Sequence, residues 1–220
     1  MATYYSPKIV TNGLVLALDA GNIKSYRSGS TSWFDLSGST TTGSLVNGPT
    51  FNSGNGGSIV FDGTNDRVLI SSAIDTNSSF TLEFWAMRTN DSSAGTLISG
   101  NAANSYFVIR MLSNAVSLVK SFVAELGNFG ASSATVINTI NQVVITRFGT
   151  TYTCYTNGIF RGTLTINQTY STALPALGIY DAGNNEPLAG RIYKFSHYNR
   201  ALSSVEVLQN YNASKTRFGL

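Results

Sequence analysis

The chain has a single cysteine in 220 residues, Cys154, so no disulfide can form within it and its stability must come from a packed core. Cys154 sits in Tyr152-Thr-Cys-Tyr-Thr, a strand pattern, where a buried inert thiol is expected rather than a nucleophile. Charge is also scarce, at 11% of residues. The net charge of +3 comes from cations spaced singly between Lys8 and Arg217, without the clusters and interleaved aromatics that nucleic-acid binding requires. No stretch approaches the roughly 20 apolar residues of a membrane span, so no membrane insertion is expected. Residues 1–8 lack the apolar segment of a secretion signal, which gives the expectation of a chain made in a cytoplasm that does not leave by a signal peptide of its own. The sequons at Asn77, Asn90, Asn167 and Asn212 then mark polar loops only.

What the chain does have is 21 Gly with many Ser, Thr and Asn, spread without a low-complexity block, as in an all-β protein rich in turns. The stretch Ser58 to Met87 organises it. Ser58 to Asp62 and Arg67 to Ser71 read as strands around a tight polar turn, and Phe80 to Met87 follows as a third. In that third segment Phe80, Leu82, Phe84 and Ala86 alternate with Thr81, Glu83, Trp85 and Met87. Period two places the first set on one greasy face and the second on a mixed, solvent-side face. Such a strand buries its greasy face against a second sheet, so the pattern predicts a two-layer β-sandwich with this segment near its centre.

No linker-like interruption divides the chain, so one domain over 13–220 is expected, preceded by an N-terminal arm over 1–12. Leu14 to Leu18 reads as the first buried strand and Gly190 to His197 as the last, with the two as core neighbours. Residues 23–57 read as mostly loop, anchored by Trp33, Phe34 and Leu36 and ended by Asn47-Gly-Pro. Residues 121–133 read either as a short strand at Phe122 to Leu126 or as an irregular loop. Asn157-Gly158 between alternating strands predicts a two-residue hairpin with a type I′ turn. Ser203-Ser-Val-Glu206 reads as a capping box opening one short helix through about Asn212.

Together these motifs resemble the laminin G-like branch of the concanavalin A-like lectin and glucanase superfamily. The carriers are Gly13-Leu-Val-Leu-Ala-Leu-Asp-Ala-Gly-Asn, Trp33-Phe-Asp-Leu-Ser-Gly, Gly57-Ser-Ile-Val-Phe-Asp-Gly-Thr-Asn-Asp, Phe80-Thr-Leu-Glu-Phe-Trp, Tyr155-Thr-Asn-Gly, Gly190-Arg-Ile-Tyr and Tyr198-Asn-Arg-Ala-Leu-Ser. More narrowly, the chain is similar to single-domain proteins of this type among tailed-phage structural proteins. The resemblance covers Gly13 to Leu220 and implies an antiparallel jelly-roll sandwich, on which hydrolases, lectins, adhesion modules and capsid parts all occur.

Glucanases of the superfamily place an acid and a nucleophile about 5 to 5.5 Å apart for retaining hydrolysis. The matching strand here offers Glu83 alone, and His197, the only histidine, belongs to no recognisable nucleophile motif, so the expectation is no enzyme. Asp62 and Asp66 on one tight turn, with Asp19 after the first strand, are hard oxygen donors that suit calcium, which laminin G-like relatives often bind. Turn chemistry accounts for the same residues. Trp33, Tyr26, Trp85 and Tyr180, with Asp181, Asn184 and Asn185, could face a glycan, and core packing accounts for the Trp residues as well. The function expected first is a non-enzymatic virion protein, a capsid decoration or tail-associated subunit that docks to identical copies and to other virion proteins through its termini and sandwich surface. The alternative is a carbohydrate-binding module for host-surface recognition, calcium-assisted or not; a glycan hydrolase stands third.

Overall fold

The computed structural model describes residues 7–90, 94–100, 107–120, 124–129, 135–167, 175–180 and 186–220. In chain order the strands are β1 (Leu14–Asp19), β2 (Ser32–Phe34), β3 (Thr42–Val46), β4 (Thr50–Asn52), β5 (Ser58–Asp62), β6 (Arg67–Ile70), β7 (Phe80–Arg88) and β8 (Gly95–Gly100). They continue as β9 (Phe107–Met111), β10 (Val116–Lys120), β11 (Ala124–Phe129), β12 (Asn141–Phe148), β13 (Thr151–Thr156), β14 (Ile159–Thr165), β15 (Pro175–Leu177) and β16 (Ala189–Tyr198). Helix α1 (Ser204–Ser214) and a 3-10 turn over Lys215–Phe218 close the chain. Among the described residues these strands make two eight-stranded antiparallel sheets. One runs β14-β13-β12-β7-β16-β5-β4 with β1 also on β16, the other β11-β10-β9-β8-β15-β6-β3-β2. No helix among the described residues is long and apolar enough to cross a membrane.

β7 lies inside its sheet, with Phe84 opposite Val143 of β12 on one side and Phe195 of β16 on the other. Its greasy face enters the inter-sheet core, where Phe80, Leu82, Phe84 and Ala86 meet Leu97, Ile109 and Leu118 of the second sheet. Each of the Phe and Leu side chains contributes roughly 1.5 to 3 kcal/mol on full burial. β1 pairs with the C-terminal half of β16, Leu18 opposite Phe195, so the first and last apolar strands are neighbours in the core. Cys154 is buried in the same core. Burial pushes its thiol far up, which makes it inert.

The mixed face of β7 is not on the solvent side. Thr81, Glu83 and Trp85 are all buried: the Thr81 hydroxyl donates to Arg200 O and accepts from Leu202 N–H, and α1 and the 3-10 turn lie over Glu83 and Trp85. Trp85 stacks on Tyr211 with ring centroids 5.8 Å apart and on Phe218 at 4.6 Å. The helix starts at the predicted capping box: the Ser203 hydroxyl accepts from Glu206 N–H, and the Glu206 carboxylate accepts from Ser203 N–H. The last residues therefore do not project from the domain. Phe218 is buried against Trp85 and Tyr193, and Arg217 Nη1 donates to Asp19 Oδ2 at 2.7 Å. The later part of the N-terminal arm is likewise tied down, with Val10 N–H donating to Asn210 Oδ1 and Val10 O accepting from the Tyr198 hydroxyl. Residues 1–6 lie outside the described set.

Residues 23–57 hold more strand than the sequence reading allowed, namely β2, β3 and β4. Trp33 is fully buried opposite Gly43 of β3, whereas Phe34 and Leu36 are exposed. Gly43 is where a side chain has no room: a Cβ there would lie 2.7 Å from Val68 Cγ1. β11 occupies Ala124–Phe129 of the segment left between strand and loop. The Asn157-Gly158 hairpin has φ of 53° and 75°, the double positive-φ signature of a type I′ turn.

Candidate functional site

The turn Asp62 to Asp66 carries the chain from one sheet to the other, and its carboxylates are occupied in shaping it. Asp62 Oδ1 accepts from Thr64 N–H at 2.7 Å, and Asp66 Oδ2 accepts from Asp62 N–H at 3.0 Å. Asp66 is buried, and that desolvation, reinforced by the Asp62 charge against the backbone donor, raises its carboxyl above the usual range. Asp19 is elsewhere. Asp62 lies opposite Ala189 and Asp19 opposite Lys194, five residues further along β16, which is roughly 16 Å at the rise of a strand. Asp19 is already committed to Arg217 and to Gly21 N–H. Among the described residues no three His, Cys, Asp or Glu side chains gather as a metal site. Asp62, Asp66 and Asp19 are thus not one ligand set, because their strands meet β16 at separate positions.

Glu83 is buried beneath α1. Its Oε1 accepts from Gln142 Nε2 at 2.9 Å and Trp85 Nε1 at 3.2 Å, and its Oε2 from Asn210 Nδ2 at 2.7 Å. Asn210 also donates to the Tyr198 hydroxyl. This carboxylate faces protein donors, not a cleft, and pins the helix to the sheet.

The aromatic candidates separate in the same way. Trp33, Trp85, Tyr26 and Tyr180 are all buried, and Asp181, Asn184 and Asn185 lie outside the described residues. Tyr26 still contributes an edge to an open cleft of about 320 Å³ between residues 26–31 and 45–51. Its hydroxyl donates to Ser30 O at 2.9 Å, and its ring lies 5.4 Å from that of Phe51 on β4. Ser28, Ser30, Thr31 and Thr50 supply hydroxyls around this ring pair, and among the described residues no charged side chain lines the cleft. Leu45 N–H donates to Thr31 O at 2.8 Å and closes one wall against β3. The cleft borders the Asp62–Asp66 turn, since Asn47 Nδ2 donates to Asn65 O at 3.1 Å. Phe51 and the serines were not named from the sequence. The available signal was a long connection that packs by its own side chains.

Residues 62–208 match the Laminin_G_3 family, described as the concanavalin A-like lectin/glucanases superfamily. The chain belongs to that superfamily. Its sandwich is similar to the binding domain of Paraclostridial Mosquitocidal Protein 1, at TM-score 0.70 and 19% identity, over 92% of this chain and 52% of that one. It is similar also to the binding domain of botulinum neurotoxin serotype D, at TM-score 0.69 and 16% identity, over 92% and 52%. A third similar structure is of botulinum neurotoxin type C, whose cell entry depends upon interaction with two ganglioside molecules, at TM-score 0.72 and 16% identity, over 93% and 52%. This concanavalin A-like chain spans about half the length of these solved structures, and at such identities they share its fold. No curated protein sequence matches it. Within the superfamily sandwich, the open Tyr26–Phe51 cleft is a place that offers a small polar ligand both an apolar surface and hydrogen-bonding groups.

Proposed function

We propose that this chain is a non-catalytic glycan-recognition module that takes an uncharged sugar residue in the Tyr26–Phe51 cleft. The observation that carries this reading is the cleft itself, an aromatic pair surrounded by four hydroxyl side chains and no charge. Sugars present apolar C–H faces and a rim of hydroxyls, and such a surface matches both. The engagement of both Glu83 oxygens by protein donors argues against hydrolysis, since a carboxylate so held has no position beside a substrate. No metal enters the proposal. A glycan array on the isolated chain tests it, with Ser28→Trp as the blocked control: Ser28 is exposed, so a large ring there fills the cleft without disturbing the core. Binding by the wild type that is lost in Ser28→Trp at unchanged melting temperature is expected. Silence of the wild type on the array, or hydrolysis of a β-glucan, overturns the reading.

A second reading, a subunit of a homo-oligomer or of a phage particle as capsid decoration or tail-associated protein, is favoured by one observation. Ile159 and Phe160 on β14 and Val205 and Leu208 on α1 are 56%, 57%, 73% and 46% exposed. Phe160 lies on the helix side of β14, its ring 6.0 Å from that of Tyr155, which packs with Val207 of α1, and a Cβ on Gly158 would lie 3.0 Å from Leu208 Cδ1; Ile159, the preceding residue of the strand, points to the other face. Among the described residues β14 is also the edge of its sheet. Exposed apolar side chains beside an edge strand fit a contact with a second copy. Light scattering of the wild type beside Phe160→Asp tests this, and an identical monomeric mass for both sinks it. The two readings use different faces and are compatible.

A further inference from the structure

The inward-facing positions of β16 are apolar at Ile192 and Phe195, and at the mouth of the sandwich the next such position is His197. It lies opposite Leu16 of β1 and Leu82 of β7, both core residues. A polar ring at an inward position needs a partner, because burying its N–H or its lone pair unpaired is costly. His197 makes no hydrogen bond among the described residues. Its nitrogens are nevertheless absent from the sealed, unpartnered atoms of the core, so they open onto space. That space is a cleft of about 260 Å³ bounded by Val15, Leu16 and Ile74 and rimmed by Thr41 and Ser72.

The electrostatics select the ligand. Burial lowers His197 to about 4 against the opposing charge of Asp75, so at neutral pH the imidazole is uncharged, with one donor and one acceptor. Asp75 is itself engaged, its Oδ2 accepting from the Ser78 hydroxyl and its Oδ1 from Asn77 N–H. Behind the rim residue Ser39, whose hydroxyl donates to Asp35, burial raises Asp35, but donors from Ser37, Ala17 and Ser39 outweigh it and keep the carboxyl ionised. Arg147 offsets the Asp75 charge, and among the described residues no cation lines the cleft, so an anionic ligand finds no counter-ion there; a lone histidine does not make a metal site. The volume falls below the ~300 Å³ at which drug-sized ligands begin, which leaves room for one small ring.

We infer that the His197 cleft is a second binding site, separate from the Tyr26–Phe51 cleft, for one neutral saccharide ring whose hydroxyls bond the His197 imidazole and whose C–H face rests on Val15 and Ile74. This inference rests on the glycan-recognition reading but on different residues. Because His197 is the only histidine, its ring proton signals in a one-dimensional NMR spectrum belong to this site alone. The full chain and its Ser28→Trp variant are titrated to tens of millimolar with methyl α-glucoside, methyl β-galactoside and N-acetylglucosamine, with N-acetylneuraminic acid as the charged probe. Saturable shifts of the His197 signals by a neutral probe in both proteins, and none by the acid, are expected. His197→Phe, which keeps the ring volume, should weaken that binding about tenfold, as for loss of one hydrogen bond. Binding of a sugar that perturbs other resonances while the His197 signals stay fixed overturns this site and leaves the first cleft standing. Absence of any response from either protein overturns both.

Discussion

Glu83 is 5% exposed, with no salt-bridge partner among the described residues, and is held by three side-chain N–H donors that would be stranded without it. Each buried donor left unpaired costs about 1 to 3 kcal/mol, so Glu83→Ala should lower stability by about 3 kcal/mol or more in urea unfolding at pH 7. Glu83→Gln should fall between, since its amide N–H₂ meets one of the same donors. If Glu83→Ala unfolded at the wild-type urea concentration, the network would have no structural role. Asp62 and Asp66 make the opposite case, with one oxygen of each consumed by the backbone of their own turn. A ligand of the native state raises the melting temperature by mass action. With no three-residue donor set among the described residues, EDTA should leave the melting temperature unchanged, a result readable by calorimetry with and without added calcium.

At the scale of elements, the β13–β14 hairpin and α1 depend on each other. Gly158 has φ of 75°, and a Cβ there would also press on Leu208 and Tyr211 of the helix at 3.0 and 3.2 Å. Gly158→Val should therefore cost about 1 to 3 kcal/mol through backbone strain alone, seen as a lower melting temperature. At the other end of the helix, Arg200 holds Glu206 at about 2 against an ordinary 4.5; burial opposes this and Ser203 donors add to it. Since the folded value is the lower one, this stabilisation is complete above pH 4.5 and is lost as pH falls toward 2. Glu206→Ala, which removes the capping box and a partly exposed ion pair, should cost about 1 kcal/mol at neutral pH. The gap between variant and wild-type melting temperatures should narrow steadily below pH 4.5. A gap that widened in acid would contradict this origin.

On the scale of the whole molecule, the C-terminal segment closes the outer face of the first sheet. Phe218 stacks on Trp85, meets Tyr193 edge-on, and lies beside the Arg217–Asp19 pair that joins the end of the chain to the end of β1. Deleting Lys215 to Leu220 exposes these rings and should cost about 3 to 5 kcal/mol, the range for losing a buried aromatic side chain. Chemical denaturation of the truncated chain measures it. The same packing changes where partners can attach. With the tail folded back, Phe218 is withdrawn from any contact with a second copy, whereas Phe160, Val205 and Leu208 remain exposed. The two clefts lie on other parts of the surface.

Much of this architecture is local in origin and was therefore legible in the residues. Alternation in Phe80 to Met87, the double positive-φ turn at Asn157-Gly158 and the capping box at Ser203 each need only neighbours a few residues away. Period and turn chemistry alone determine that the chain is an antiparallel sandwich with one terminal helix. β2, β3 and β4 were not legible, since three to five residues become strands only when distant segments offer them edges, β6 to β3, β3 in turn to β2, and β5 to β4. The fate of the second face of β7 was open for a related reason. Thr, Glu, Trp and Met at period two fit water or a covering helix equally well, and the tertiary fold decides for the helix by stacking Trp85 under Tyr211 and Phe218. Carboxylates near each other in the strand pattern say nothing about which part of β16 each will meet, so the separation of Asp19 from Asp62 and Asp66 belongs to sheet registry. Both clefts arise the same way: Tyr26 meets Phe51, and His197 meets Thr41 and Ser72, only after loops distant in sequence close over the ends of the two sheets.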